Sequence, residues 1–141
     1  MSFELPDVGG WWCEVCMVLG LGTDLIETKR IEESIDRFGE RFLERVFTVG
    51  EIAYCHRKKN AAESFAARFA AKEAGAKALG TGISRGVTWK ELEVRREVSG
   101  KPTLHLSGRA AELAEAMGVR RLQLSLTHSR ELAMAVVVAE D

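Results

Sequence analysis

Apolar residues recur with two different periods along the chain, a helical period first and an alternating one later. The run "MVLGLG" at 17–22 is typical of a buried strand, and Gly20 and Gly22 leave room for another element to approach the backbone closely. The residues that follow predict four helices: from Asp24 to about Phe38, over 40–46, from Thr48 to near Lys59, and from Asn60 to Leu79.

Capping-box patterns mark the start of three of these helices. In this pattern a small polar residue caps the first turn and an acidic residue three positions later bonds back to it. The three matches are Asp24–Glu27, Thr48–Glu51 and Asn60–Glu63. They support the helix starts from local chemistry as well as from periodicity.

Beyond Gly82 the alternation is typical of strands. Residues 90–98 and 103–107 predict a β-hairpin around "SGKP", and residues 108–117 predict a helix ended by Gly118. Two further strands are expected over 121–127 and 131–139. The second is apolar on both faces, so it is either central in its sheet or covered by a partner.

This order of elements predicts an α+β fold. We expect a single compact domain with antiparallel strands and hairpins and a central buried helix. The "GLGTD" at 20–24 resembles the start of a dinucleotide-binding motif, but the third glycine and the alternating βαβ pattern are both missing. A Rossmann fold is therefore not expected.

Composition and charge narrow the functional classes. The chain has 141 residues, 46% hydrophobic and 29% charged, and a formal net charge of -1, which argues against general nucleic-acid binding. Its longest apolar run, 132–139, is far short of the roughly 20 residues of a membrane span. A cytoplasmic protein without nucleic-acid or membrane partners is expected.

The first sixteen residues differ from the rest. Cys13 and Cys16 form a C-x-x-C, but a tetrahedral zinc site needs four ligands, and the next candidates lie far downstream at Cys55 and His56. We expect residues 1–16 to be a non-essential leader and residues 17–141 to form the domain.

The predicted helix 60–79 carries charges in an unusual place. Lys72 falls within the stripe formed by Phe65 and Phe69, while Glu73 and Lys77 lie one turn apart beside that stripe. An exposed Glu–Lys pair would explain this arrangement simply. Small alanines on the other sides predict close packing, however, and buried charges persist when they are paired, bind a metal or face a ligand.

Asp24 is the second candidate. Helix capping alone would explain it, yet a carboxylate after a glycine-bearing strand could also stand in a metal site. Asp24 and Glu73 together would supply oxygen ligands for Mg²⁺, with water and substrate phosphate completing the shell. Arg68, Lys72 and Lys77 would then neutralise phosphate.

Four stretches together resemble the acyl carrier protein synthases, the small 4'-phosphopantetheinyl transferases. They are "GLGTDLIETKRI" (20–31), "FAARFAAKEAGAKALGTG" (65–82), "SGKP" (99–102) and "SLTH" (125–128), and the resemblance covers 17–139. It implies transfer of 4'-phosphopantetheine from coenzyme A to a serine of apo acyl carrier protein, in support of fatty acid biosynthesis. It also implies a requirement for Mg²⁺ and a homotrimer with sites between subunits.

The resemblance also implies roles for particular residues. Asp24 and Glu73 would be the metal ligands, and with Lys77, beside the coenzyme A diphosphate, they would form the catalytic set. Coenzyme contacts are implied for Arg68, Lys72, Gly80, Gly82, Lys101, Pro102, Thr127 and His128. His128 is equally explained as a simple turn residue, and the general base is open between Glu73 and a metal-bound water.

A row of arginines gives a candidate docking face for the acidic carrier protein. Arg30, Arg37 and Arg41 fall on one side if the helix continues past Phe38, although Gly39 could break it. Interleaved acidic residues also fit an ordinary solvated face.

Two other functions fit parts of the pattern. One is a different Mg²⁺-dependent phosphotransferase or hydrolase acting on another nucleotide. The other is a non-catalytic subunit that binds the carrier protein without modifying it. The joint motif set opposes the first, and the set Asp24, Glu73 and Lys77 opposes the second.

Overall fold

The computed structural model describes residues 16–141; the predicted leader therefore lies, except for Cys16, outside the described residues. The described chain contains five strands and five α-helices. In chain order they are β1 Val18–Glu27, α1 Thr28–Phe38, α2 Glu40–Val46, α3 Val49–His56, α4 Ala61–Ala78, β2 Leu92–Arg96, β3 Pro102–Leu106, α5 Gly108–Met117, β4 Arg121–His128 and β5 Leu132–Glu140. This is the α+β fold with a central helix that the sequence predicts.

The main sheet is antiparallel, in the order β1-β5-β4. Its middle strand β5 is the one predicted to be apolar on both faces. One of those faces, with Ala133, Ala135, Val137 and Ala139, is fully buried. The strands β2 and β3 form the predicted hairpin as a separate two-stranded sheet.

The first strand is longer than predicted, and the helix start at Asp24 is wrong. Asp24 pairs with Ala135 in the middle of the β1–β5 ladder, and α1 begins only at Thr28. Glu27 occupies the N-cap position without a side-chain cap bond. The apolar partner strand keeps β1 paired to its end, so ladder hydrogen bonds replace the local capping pattern.

The other two capping boxes have different outcomes. Thr48 and Glu51 form a complete box at the start of α3. Asn60 precedes α4 but makes no side-chain cap bond, so that helix is right and its capping box is wrong.

Helix α4 lies against the sheet with almost no separation from β1. A Cβ on Gly22 would stand 1.8 Å from the Ala74 carbonyl oxygen, and one on Gly20 would stand 2.1 Å from that of Ala78. The two glycines therefore accommodate the backbone of α4, which confirms the close approach predicted for this strand. This packing aligns the middle of β1 with the second half of α4.

The opposite face of the sheet is apolar and open. Leu21 and Leu25 on β1 are each 62% exposed, and Leu132 and Met134 on β5 are also exposed. Within residues 16–141 no helix has the length and hydropathy to cross a membrane.

Candidate active site

The close contact between β1 and α4 brings Asp24 and Glu73 to one cavity. The cavity has a volume of about 310 Å³, and Arg30, Phe42 and Phe69 contribute to its walls. The side chain of Asp24 is only 17% exposed. Two carboxylates that are distant in sequence thus share one partly enclosed space.

Lys77 lies beside this pair but contacts Asp24, not Glu73. Its Nζ donates to the Thr23 carbonyl at 3.0 Å and to the Asp24 carboxylate at 3.3 Å. Half of the Lys77 side chain is exposed. The ammonium is therefore anchored on the strand while remaining open to a ligand.

Asp24 and Glu73 would supply part of the ligand set of a hard divalent cation. Among the described residues no cluster of three or more His, Cys, Asp or Glu side chains is placed to hold a metal ion. Asp24 and Glu73 would supply two oxygen donors, and the remaining positions would go to water and phosphate oxygens, which is a common way of binding Mg²⁺.

Lys72, for which the resemblance implies a place at the coenzyme site, lies in the core. Its ammonium is fully buried and donates to Glu51 Oε1 at 2.6 Å, to the Leu92 carbonyl at 2.8 Å and to the Trp89 carbonyl at 3.1 Å. Burial lowers the pKa of Lys72, and the Glu51 carboxylate opposes that shift. All three N–H donors have protein partners, so none is left for a phosphate.

Arg68 lies in a cationic cluster around Tyr54. Its guanidinium carbon is 3.9 Å from the ring centroid, and those of Arg57 and Arg96 are at 5.9 and 5.6 Å. Lys58 Nζ is 4.7 Å from the same centroid. Burial raises the pKa of the Tyr54 hydroxyl, but the Lys58 hydrogen bond and the charges of Arg96 and Arg68 outweigh it and lower that pKa. Arg68 Nε is buried and has no hydrogen-bond partner among the described residues, which suits an anion site.

The glycine turn after α4 serves the helix end. The N–H groups of Thr81 and Gly82 both donate to the Ala76 carbonyl, and that of Gly80 donates to the Lys77 carbonyl. Gly80 and Gly82 have positive φ values of 81° and 62°. These backbone donors close the helix and are not free to bind a phosphate.

The remaining predicted coenzyme residues lie at two turns. Lys101 is exposed at the β2–β3 turn, next to Pro102, which begins β3. Thr127 and His128 are exposed at the end of β4. His128 Nδ1 is 3.5 Å from the Glu63 carboxylate at the start of α4. None of these four lines the cavity of Asp24 and Glu73.

Gly39 separates the predicted arginine row into two helices. Arg30 and Arg37 lie on α1, whereas Arg41 lies on α2 beyond the break. Arg41, Arg45, Phe38 and Trp89 help to line a second cavity of about 540 Å³. Phe42 and Phe69 line both cavities, so the apolar one adjoins the acidic one.

Sequence reasoning missed two residues that support the site. The sequence pattern identifies Glu51 only as part of a capping box, yet its second carboxylate oxygen also accepts the Val94 N–H at 2.9 Å. Trp89 gave no periodic signal, because it precedes β2 in a short 3₁₀ turn. Its indole Nε1–H donates to Glu73 Oε1 at 3.1 Å.

The fold and the site together define a class: a small α+β protein with an acidic pair and a lysine suited to phosphate chemistry. Comparison with known proteins makes this specific. The 4'-phosphopantetheinyl transferase superfamily matches residues 20–137, and the chain belongs to that family.

Individual relatives agree with this assignment. A holo-[acyl-carrier-protein] synthase of Koribacter versatilis is 54% identical over 125 residues, which is 89% of this chain and the whole of that protein. The crystal structure of the Neisseria meningitidis synthase superposes with a TM-score of 0.81 at 36% identity, covering 89% of this chain and 100% of the other. The Helicobacter pylori synthase in complex with coenzyme A gives 0.75 at 33% identity, covering 84% and 98%.

Proposed function

We propose that this chain transfers 4'-phosphopantetheine from coenzyme A to a serine hydroxyl of apo acyl carrier protein. The observation that carries the proposal is the shared cavity of Asp24 and Glu73 with Lys77 at its edge. The family assignment supports it, as do relatives named holo-[acyl-carrier-protein] synthase and a relative solved with coenzyme A. The reaction would support fatty acid biosynthesis.

Atoms and charge balance in the proposed step. The serine oxygen forms a bond to the phosphorus that bears pantetheine, the bond from that phosphorus to 3',5'-ADP breaks, and the serine proton is released. Catalysis of phosphoryl transfer depends mainly on positioning and charge stabilisation. A site with two carboxylates and an ammonium suits those requirements.

We further propose that Asp24 and Glu73 hold Mg²⁺. The bound cation would neutralise the diphosphate of coenzyme A. Lys77 would add a positive charge beside the same diphosphate, because its ammonium is already held at Asp24 and half exposed.

The cluster around Tyr54 is the proposed site for a further phosphate of coenzyme A. Arg68 carries the argument, since its buried Nε has no partner within the described residues while three other cations surround the same ring. Lys101, at the turn of the β2–β3 hairpin, would add a further positive charge to this phosphate site. Thr127 and His128 remain proposed contacts, and their absence from the lining of the Asp24 cavity suits a site completed by another subunit.

The arginines beside the acidic cavity are the proposed docking face for the carrier protein. Arg30 lines the cavity itself, and Arg37 is exposed on the same helix. The adjoining apolar cavity has Arg41 and Arg45 in its lining. An acidic partner with an apolar contact surface would complement both features.

We propose a homotrimer assembled through the open face of the sheet. Exposed leucines at 21 and 25 and the exposed Leu132 and Met134 form an apolar surface that a monomer would leave in water. We propose that other copies of the chain cover this face. Its burial would place neighbouring subunits beside β1, the strand that carries Asp24. The cytoplasm is the proposed compartment, which suits Cys16 and Cys55, because neither thiol forms a disulfide within residues 16–141.

Incubation with coenzyme A, Mg²⁺ and apo carrier protein tests the function directly. Transfer predicts that the carrier gains the mass of one phosphopantetheine. A hydrolase or another phosphotransferase would leave the carrier mass unchanged, and a non-catalytic subunit would bind the carrier without modifying it.

A further inference from the structure

Trp89 contacts two charged residues, Lys72 in the core and Glu73 at the cavity. Its backbone carbonyl accepts a hydrogen bond from Lys72, and its indole N–H donates to Glu73 Oε1. Lys72 and Glu73 are consecutive residues of α4. One tryptophan therefore bridges the buried ion pair and the carboxylate at the cavity.

We propose that Trp89 is a positioning residue for Glu73 and that the buried Glu51–Lys72 pair holds Trp89 in place. The proposal rests on the proposed function, because it takes Glu73 as a ligand of the catalytic cation. It assigns to Lys72 a supporting role instead of a contact with coenzyme A.

Glu73 needs such support because its own helix offers little. The residues around it on α4 include Ala70, Ala74 and Ala76, which have no side chains long enough to restrain a carboxylate. Lys77, one turn further on, donates to Thr23 and Asp24. Among the described residues, the Trp89 indole is the side chain that donates to Glu73.

Trp89 itself is held from several sides. Its ring lies 6.2 Å from that of Phe69 at an angle of 30°, and the Arg45 guanidinium carbon is 6.0 Å from its centroid. The Lys72 ammonium fixes its carbonyl and that of Leu92, three residues later. Glu51 completes this set of contacts by accepting hydrogen bonds from the Val94 N–H and from the Lys72 ammonium.

The hydrogen bond from the Trp89 indole to Glu73 bears on how this carboxylate can bind a cation. The indole N–H fixes the orientation of the Glu73 carboxylate through Oε1, and Oε2 accepts no hydrogen bond from the described residues. Groups that orient a metal ligand in this way typically change metal affinity by roughly 10–100-fold when they are removed. A tryptophan that only filled space would have no such effect.

Replacing Trp89 with phenylalanine separates the two roles. Trp89→Phe keeps an aromatic ring against Phe69 but removes the N–H donor. With coenzyme A present and carrier protein absent, we expect Mn²⁺, a spectroscopic probe for Mg²⁺, to bind roughly tenfold more weakly, as measured by electron paramagnetic resonance.

A matched control removes packing without removing a hydrogen bond. Val94→Ala removes buried apolar volume beside the Glu51–Lys72 pair, but it leaves the backbone N–H that Glu51 accepts and so keeps every hydrogen bond that holds Trp89. We expect its Mn²⁺ affinity to match the wild type. Unchanged affinity in Trp89→Phe, or an equal loss in Val94→Ala, would overturn the proposal.

The failure of this proposal and of the proposed function can be distinguished. If Glu73→Ala binds Mn²⁺ normally, the metal site itself is misplaced and the role of Trp89 fails with it. If Glu73→Ala loses affinity while Trp89→Phe keeps it, the metal site stands and only the positioning role fails.

A double-mutant cycle tests the role of the buried pair. Lys72→Met combined with Glu51→Gln removes the ion pair without leaving a buried charge alone. If the pair acts through Trp89, this change weakens Mn²⁺ binding in the wild type and adds little further loss to Trp89→Phe. Fully additive losses would show that the pair does not act through Trp89.

Fluorescence gives a readout that needs no change at Trp89. The chain has three tryptophans, so Trp11→Phe with Trp12→Phe leaves Trp89 as the sole reporter. We expect its emission to change when Mg²⁺ and coenzyme A bind, and Glu73→Ala to abolish the change. If the Trp89 emission did not change at saturating Mg²⁺ and coenzyme A, the proposed link between Trp89 and a cation on Glu73 would be contradicted.

Discussion

The position of the Asp24 carboxylate depends on the strand pairing of β1. The ladder with β5, in which Ala135 lies opposite Asp24, keeps this residue extended. Its side chain lines the cavity shared with Glu73 and accepts a hydrogen bond from Lys77.

We expect Asp24→Ala and Glu73→Ala each to abolish transfer while leaving the fold intact. The fold should survive because both carboxylates line the cavity and neither belongs to the hydrophobic core. Turnover measured across a range of Mg²⁺ concentrations, with circular dichroism as a folding check, tests this. Substantial activity with unchanged Mg²⁺ dependence in either variant would remove that residue from the metal site.

Lys77 and Arg30 should affect different kinetic constants. Lys77→Ala should lower kcat by about two orders of magnitude, because charge on the departing 3',5'-ADP grows along the reaction. Lys77→Arg should restore little of the lost kcat, since a planar guanidinium does not reproduce a compact ammonium.

Arg30→Glu should raise KM for the carrier protein, most strongly at low salt.

Steady-state kinetics with varied carrier protein would separate these effects. If Lys77→Ala changed only the carrier KM, Lys77 would belong to the docking face. If Arg30→Glu left KM unchanged at low salt, the charge on α1 would have no part in docking.

At the scale of elements, the packing of β1 on α4 determines the site. The glycines of β1 were recognisable as places of close approach, but the sequence did not say which element approaches. Likewise, Lys72 was recognisable as a buried charge, but Glu51 lies on another helix and no spacing rule connects the two. Local patterns therefore predicted the close approach at the glycines and the buried charge of Lys72, but not the elements that each contacts.

Gly22→Ala should be severely destabilising. The added Cβ would meet the backbone carbonyl of Ala74 at 1.8 Å, and a helix backbone cannot move aside as a flexible side chain can. We expect a loss of about 3 kcal/mol or more in the free energy of unfolding, measured by chemical denaturation.

The same substitution at Gly50 is the matched control. Gly50 lies in α3, and a Cβ there would meet nothing within 4 Å. Alanine should stabilise the protein by up to about 1 kcal/mol, because it is the better helix former. Equal stability of the Gly22 and Gly50 variants would contradict the proposed packing role of Gly22.

At the scale of the whole molecule, the open sheet face predicts self-association. The strand β5 was expected to be either central or covered by a partner, and it is central with one face still open. Periodicity within a strand reveals that a face is apolar, but it does not identify what covers that face. The fold class was predictable from element order, whereas the assembly depends on other copies.

Leu21→Glu should dissociate the proposed trimer and lower activity with it. A carboxylate at this position would face an apolar interface without a partner. Val49→Glu is the control, because Val49 is 85% exposed at the start of α3, where a negative charge is favourable. Sedimentation analysis should find trimers in the control and smaller species for Leu21→Glu; trimers in both would exclude this face as the interface.

The most direct test of the central claim is the mass of the carrier protein after incubation with this chain, coenzyme A and Mg²⁺. We predict that apo acyl carrier protein gains one phosphopantetheine, that a chain starting at Met17 gives the same product, and that Glu73→Ala gives none. An unchanged carrier mass with the folded wild-type chain and saturating substrates would contradict the proposed function.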